Sequence, residues 1–220
     1  MKIYVVGSTK NKFLPLDKIR TKFFIDKPHV GENIDFLNPW YCELTGLYHL
    51  WKHVEDDIVG LEHYRRYFVN SHDKILSEGD INEMLKTCDI ICTKAHYSKE
   101  RPVITWLNEH GKRKDFDKYL YILCRYFDDI GDKKYQGFGE WCKKYLFGDH
   151  HCLGNMFVCK RSLIDEYCLW LFNVLSVYDQ VNGLTNANRR IDGYLAEFLF
   201  GAWLEWNKKK IKYQKIRIVR

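Results

Sequence analysis

The run Ile58-Val59-Gly60-Leu61-Glu62-His63-Tyr64-Arg65-Arg66-Tyr67-Phe68 constrains the fold more than any other stretch of this chain. Its apolar start reads as a strand, and only the polar turn Glu55-Asp56-Asp57 separates it from an amphipathic stretch, Pro39 to His53. Asn38-Pro39 opens a helix there, Asn as the cap and Pro at the first helical position. Leu44, Leu47, Tyr48 and Trp51 then recur at helical spacing. Helix into strand through a short turn implies α/β packing. Period-2 alternation places Ile58, Gly60, Glu62 and Tyr64 on one face of the strand, and Val59, Leu61, His63 and Arg65 on the other.

The strand runs out into charge, and the C-terminal edge of strands in an open α/β sheet is where ligands bind. Arg65 and Arg66 suit a diphosphate, because a guanidinium fork matches phosphate oxygens in pairs. His63 or Glu62 suits a metal or a proton transfer. The competing reading is an ion-paired surface loop.

The rest of the chain extends the pattern. Lys2 to Val6 reads as a first strand followed by the polar loop Gly7 to Lys12, Asp89 to Thr93 as a second short strand, and Cys152 to Cys159 as another. Apolar spacing marks helices over roughly 115–128, 164–178 and 192–206, with a short one suggested by Trp141 and Tyr145. The segment from Phe13 to Asp35 has no assignable pattern, and Lys94 to Gly111 reads as a long loop. At 220 residues a single domain spanning 1–220 is expected, with 207–220 as a basic tail or last strand.

Charge and cysteine narrow the function classes. The net charge of +6 is carried by seven Lys or Arg after Glu205; without them the balance is 28 basic to 29 acidic, which argues against a nucleic-acid-binding body. The Lys-rich end suits anionic lipid or a solvated strand equally. Eight cysteines without a CxxC pair, most of them in apolar stretches, fit buried free thiols of a reducing compartment. No signal-peptide pattern and no apolar run near the ~20 residues of a membrane span is present, so a cytoplasmic protein is expected.

Several candidate motifs are weak. The loop Gly7-Ser8-Thr9-Lys10-Asn11-Lys12 lacks the glycine spacing of a P-loop or a dinucleotide fingerprint. Asp115-Phe116-Asp117 spells a DxD but starts a helix, where acids favour the dipole, and Asp56-Asp57 precedes its strand instead of following it. His150-His151 beside Cys152 has no second pair at zinc-ligand spacing. Glu197 stands between Gly193 and Gly201 on one helical stripe, so either packing or a ligand approaches closely there. Asn155-Met156 puts an amide into an apolar strand, and that amide must find partners.

Four segments together resemble the DUF4422 family of bacterial glycosyltransferase-like proteins: GENIDFLNPWYCELTGLYHLWKH at 31–53, IVGLEHYRRYF at 58–68, GNMFVCKRSLIDEYCLWLF at 154–172 and RRIDGYLAEFLFGAWL at 189–204. The resemblance implies an α/β fold of GT-A-like, Rossmann-like type, a single domain with a mixed, mostly parallel sheet flanked by helices. It implies a hexosyltransferase, with galactose or galactofuranose moved from a UDP-linked donor onto a capsule, exopolysaccharide or O-antigen (lipopolysaccharide) acceptor. The alternative is a non-catalytic carbohydrate-binding or assembly protein.

On that resemblance Ser8, Lys10, Tyr41, Arg65 and Arg66 hold the donor, and Asn155, Met156 and Arg189 line the acceptor side. Glu62, His63, Asp192 and Glu197 are the catalytic candidates. The strand ending at Glu62-His63 resembles the one that carries the DxD in metal-dependent relatives, so Glu62 and His63 are the candidate ligands of Mn²⁺ or Mg²⁺, unless the arginines replace the ion. The expected partners are the nucleotide sugar, a glycan or lipid-linked glycan and, through the basic tail, the inner leaflet, but no nucleic acid. Two departures stand out: Ser8-Thr9-Lys10 replaces the family's usual His-Lys, and Phe198 follows Glu197 where the family usually has Arg.

Overall fold

A computed structural model describes residues 1–94, 108, 113–126, 132–145 and 152–219. Its strands are β1 (Lys2–Gly7), β2 (Arg20–Phe24), β3 (Ile58–His63), β4 (Arg66–Phe68), β5 (Ile90–Lys94), β6 (Cys152–Lys160), β7 (Ile211–Gln214) and β8 (Ile216–Ile218). The central order is β2-β1-β3-β6-β5-β7. Strands β2, β1, β3, β5 and β7 point one way, and β6 alone is reversed among them. β1 is buried along almost its whole length, as a strand with helices over both faces must be. Because β1 pairs with β2 on one side and β3 on the other, the chain reverses its direction of travel across the sheet there, and a crevice opens beyond the ends of β1 and β3.

The helices are α1 (Asn38–Tyr41), α2 (Leu44–His53), α3 (Glu78–Met84), α4 (Arg113–Arg125), α5 (Phe138–Tyr145), α6 (Arg161–Asn182) and α7 (Ile191–Trp206). On one face of the sheet Val59, Leu61, Phe157 and Cys159 pack with Leu44, Leu47 and Leu50 of α2, Leu171 of α6 and Leu195 of α7. On the other, Ile3, Ile91, Met156 and Val158 pack with Phe68, Leu76 and Ile81. α7 is buried around nearly its whole circumference. A Cβ at its Gly201 would lie 2.5 Å from the Tyr145 hydroxyl and 3.0 Å from the Cys152 nitrogen, so close packing requires that glycine. All eight cysteines are free thiols.

Two sequence expectations change, and two open ones are filled in. The helix read as one piece from Pro39 to His53 is broken at Cys42, where φ of 50° and ψ of −124° end α1 before α2 begins. The strand read through Tyr64 stops at His63, turns at Tyr64-Arg65 and comes back as β4, with His63 opposite Arg66. The unassigned segment contains an edge strand, β2. The basic end is two strands, β7 beside β5 and β8 beside β4, with Lys209 paired to Glu166 and both Lys215 and Arg217 paired to Asp73. Asp117 sits in α4, the helix that the DxD was read to open. Most of the long loop read at 94–111 and His150-His151 lie outside the described residues.

Glu62 holds this arrangement from within the sheet. Its carboxylate accepts from Arg20 Nε at 2.7 Å, from Arg20 Nη2 at 3.2 Å and from the Phe68 backbone N–H at 3.0 Å. Arg20 also donates to Asp17 and to the Leu76 carbonyl. Removing one partner of such a buried pair strands the other's charge. Glu62→Ala is expected to destabilise the fold by about 3–5 kcal/mol, measured as a lower urea midpoint, whereas Arg65→Ala on the exposed turn should change it little.

Candidate active site

The crevice beyond β3 collects side chains from four separate segments. His63, the last residue of β3, faces the α2 side of the sheet, and its cross-strand neighbour Arg66 stands beside it. From β6, Gly154 closes against both: a Cβ there would lie 3.4 Å from Arg66 Nη1 and 3.8 Å from His63 Cε1, and its φ of +72° suits glycine. Asn155 follows with φ of 49° and donates from Nδ2 to Glu43 Oε1 at 2.9 Å and to the Gly193 carbonyl at 3.4 Å. Glu43 comes from the break between α1 and α2. Glu197 comes from α7 and hydrogen-bonds the Gly154 backbone.

The electrostatics follow from burial. Glu197 is pushed up to about 8, first by burial and then by the charge of Glu43, against the pull of Arg66. It is therefore largely protonated at neutral pH. His63 is pushed down by burial, and Glu43 works against that while Arg66 and Arg65 add to it. The imidazole is thus neutral, and its Nε2 is buried without a hydrogen-bond partner, as is Asn155 Oδ1. Such orphaned atoms point to a missing partner, because buried polar atoms are nearly always satisfied.

Backbone strain converges on the same place. Among the described residues, the non-glycine residues with positive φ are Cys42, Asp73, Asn155, Arg190 and Lys208. Cys42 adjoins Glu43, Asn155 holds Glu43, and Arg190 hydrogen-bonds Cys42 and acts electrostatically on Glu43. Residues held in sparsely populated regions cost of order 1–3 kcal/mol each and concentrate at functional sites.

The structure sorts the sequence candidates. It brings together His63, Arg66, Asn155 and Glu197. Ser8 and Lys10 lie on the loop after β1, and a Cβ at Gly7 would lie 2.9 Å from the Tyr64 Cβ, so that loop borders the turn carrying Arg65. Arg65 is exposed and stacks on Tyr64, which separates it from Arg66 as a partner in one fork. Arg189 is exposed.

Glu62 is a correction: adjacent strand residues face opposite ways, and Glu62 lies under the sheet with Arg20. Glu62 and His63 therefore cannot ligate one ion, and no group of three His, Cys, Asp or Glu able to hold a metal occurs among the described residues. Glu62 and His63 thus do not offer the paired ligands for Mn²⁺ or Mg²⁺ that the DxD analogy suggested. Met156 is a second correction, fully buried in the opposite core with Ile3 and Phe68. Tyr41 is buried, and its hydroxyl donates to Asp179 Oδ2 at 2.7 Å. Asp192 is buried against that same Asp179, its pKa pushed up to about 8 by burial and then by the Asp179 charge. Tyr41 and Asp192 thus meet at Asp179 and tie α1, α6 and α7 together. Glu43 was missed because an unbroken helix would have turned it to solvent; the mixture of Tyr, Cys and Glu before Leu44 was the only available signal.

These shifts have a sign in pH. An acid whose pKa is higher folded than unfolded favours folding least above both values, so Glu197 withdraws stability as pH rises from about 4.5 towards about 8. The stability difference between Glu197→Gln and the parent chain should therefore grow in favour of the variant across that window, as read from urea unfolding at stepped pH. A difference independent of pH would mean that Glu197 is not held protonated.

The comparisons with known proteins agree with this architecture. No curated protein matches the chain. Among solved structures, the "WbbM bifunctional glycosytransferase apo structure" superposes with a TM-score of 0.77 at 22% identity, covering 99% of this chain and 45% of that one. The likeness shows the fold, and this chain spans less than half the length of that protein. A family model described as "Domain of unknown function (DUF4422)" matches residues 3–209, so the chain belongs to the DUF4422 family.

Proposed function

We propose that this protein is a glycosyltransferase that moves a hexose, galactose or galactofuranose, from a UDP-linked donor onto a cell-surface glycan acceptor. The observation that carries this reading is the His63–Arg66 pair at the switch point of the sheet, a cation beside a neutral imidazole with an unsatisfied nitrogen. A departing nucleoside diphosphate gathers negative charge, and fixed cations stabilise that charge as it develops. Arg66 would meet it from the crevice, with Lys10 on the neighbouring loop and Arg65 on the turn to complete the cationic rim. His63 Nε2 and the Asn155 amide oxygen are the free polar groups for sugar hydroxyls. The fold shared with a protein named as a glycosyltransferase supports the reading.

The acceptor side is set by Asn155, Glu43 and Arg190. Lys209, Lys215 and Arg217 are ion-paired on the protein's own surface, so an inner-leaflet contact through this end would use its other basic residues.

Isothermal titration with UDP and GDP tests the proposal. UDP should bind, and Arg66→Ala should weaken it by roughly 10- to 100-fold, the range for losing a charge-assisted hydrogen bond of about 1.5–3 kcal/mol. Absence of nucleotide binding, or equal binding by Arg66→Ala, would overturn it and favour the carbohydrate-binding alternative.

A further inference from the structure

We propose that Glu43 is the catalytic base that takes the proton of the acceptor hydroxyl, in a transfer that inverts the anomeric carbon; this rests on the glycosyltransferase reading. The carboxylates around the crevice narrow to one. Glu62 lies beneath the sheet with its oxygens committed to Arg20 and the Phe68 N–H. Asp192 is fully buried against Asp179. Glu197, also half-exposed, is engaged by the Gly154 backbone, and burial holds it above the usual carboxylate range. Glu43 is half-exposed at the crevice, with Oε1 oriented by the Asn155 amide.

Its placement carries a local conformational cost. The helix is broken at Cys42 to present it, Asn155 adopts a positive φ to reach it, and Arg190 does the same beside it. Glu43 and Arg66 both act electrostatically on His63 and on Glu197, which makes the four groups close neighbours. In the step, the acceptor O–H proton passes to Glu43 while the acceptor oxygen bonds to C1 of the sugar. The bond from C1 to the phosphate oxygen breaks, and its electron pair leaves with the diphosphate, drawn by Arg66.

The test uses the full chain with UDP-galactose and UDP-galactofuranose, following UDP release. Glu43→Gln keeps an oxygen for the Asn155 amide, so it should fold and bind UDP within about twofold of the parent while losing at least about 100-fold in turnover. Glu43→Ala with sodium azide should form a glycosyl azide of inverted configuration, since azide needs no base. Turnover of Glu43→Gln within tenfold of the parent, or an azide or sugar product with the donor's configuration, overturns the assignment while leaving the function intact. Failure of the parent chain to bind UDP overturns the function and this assignment together.

Discussion

The buried ion pair between Arg20 and Glu62 is the constraint on which the rest of the architecture depends. It joins the edge strand β2 to β3 across β1, and through the Phe68 N–H it also fixes the return strand β4. Charges taken from water must be matched almost completely, and the Asp17 carboxylate and Leu76 carbonyl complete the set around Arg20. With Glu62 locked to the lower face, its neighbour His63 has no choice but the upper one. A one-residue slip in pairing would exchange the faces of the imidazole and the carboxylate, so one interaction specifies both the register and the aim of the site.

The site itself is an assembly of interruptions. A helix stops at Cys42, a strand turns back after His63, β6 passes through Gly154 and Asn155 with positive φ, and α7 starts from a left-handed Arg190. The first three interruptions each bring polar groups to the crevice from elements that are otherwise largely apolar. Together they place Glu43, His63, Arg66, Asn155 and Glu197 in one enclosure in which burial governs the protonation of His63 and Glu197.

The regular parts were legible in the sequence because their physics is periodic. The alternation along Ile58 to His63 gave the two faces of β3, and the apolar spacing of Leu195, Phe198, Leu199 and Trp203 gave α7. Edge strand β2 was opaque because Arg20-Thr21-Lys22-Phe23-Phe24 buries only part of its length and lacks alternation. Asn38-Pro39 correctly opened a helix, but nothing in the residue types of Tyr41-Cys42-Glu43 marks a positive φ at Cys42, so Glu43 stayed hidden. Charge identified the right neighbourhood around Glu62 to Arg66 without separating structural Glu62 from Arg66 at the crevice, since that depends on pairing across strands far apart in sequence.

The strain at Cys42, Asn155 and Arg190 also bears on how such a chain can change. Mutation tends to relieve local conformational cost wherever a substitution permits it, and here the relief lies in the same residues that aim the carboxylates. Selection for thermal tolerance alone would therefore be drawn towards restoring the broken helix, and would trade reactivity for a quieter fold.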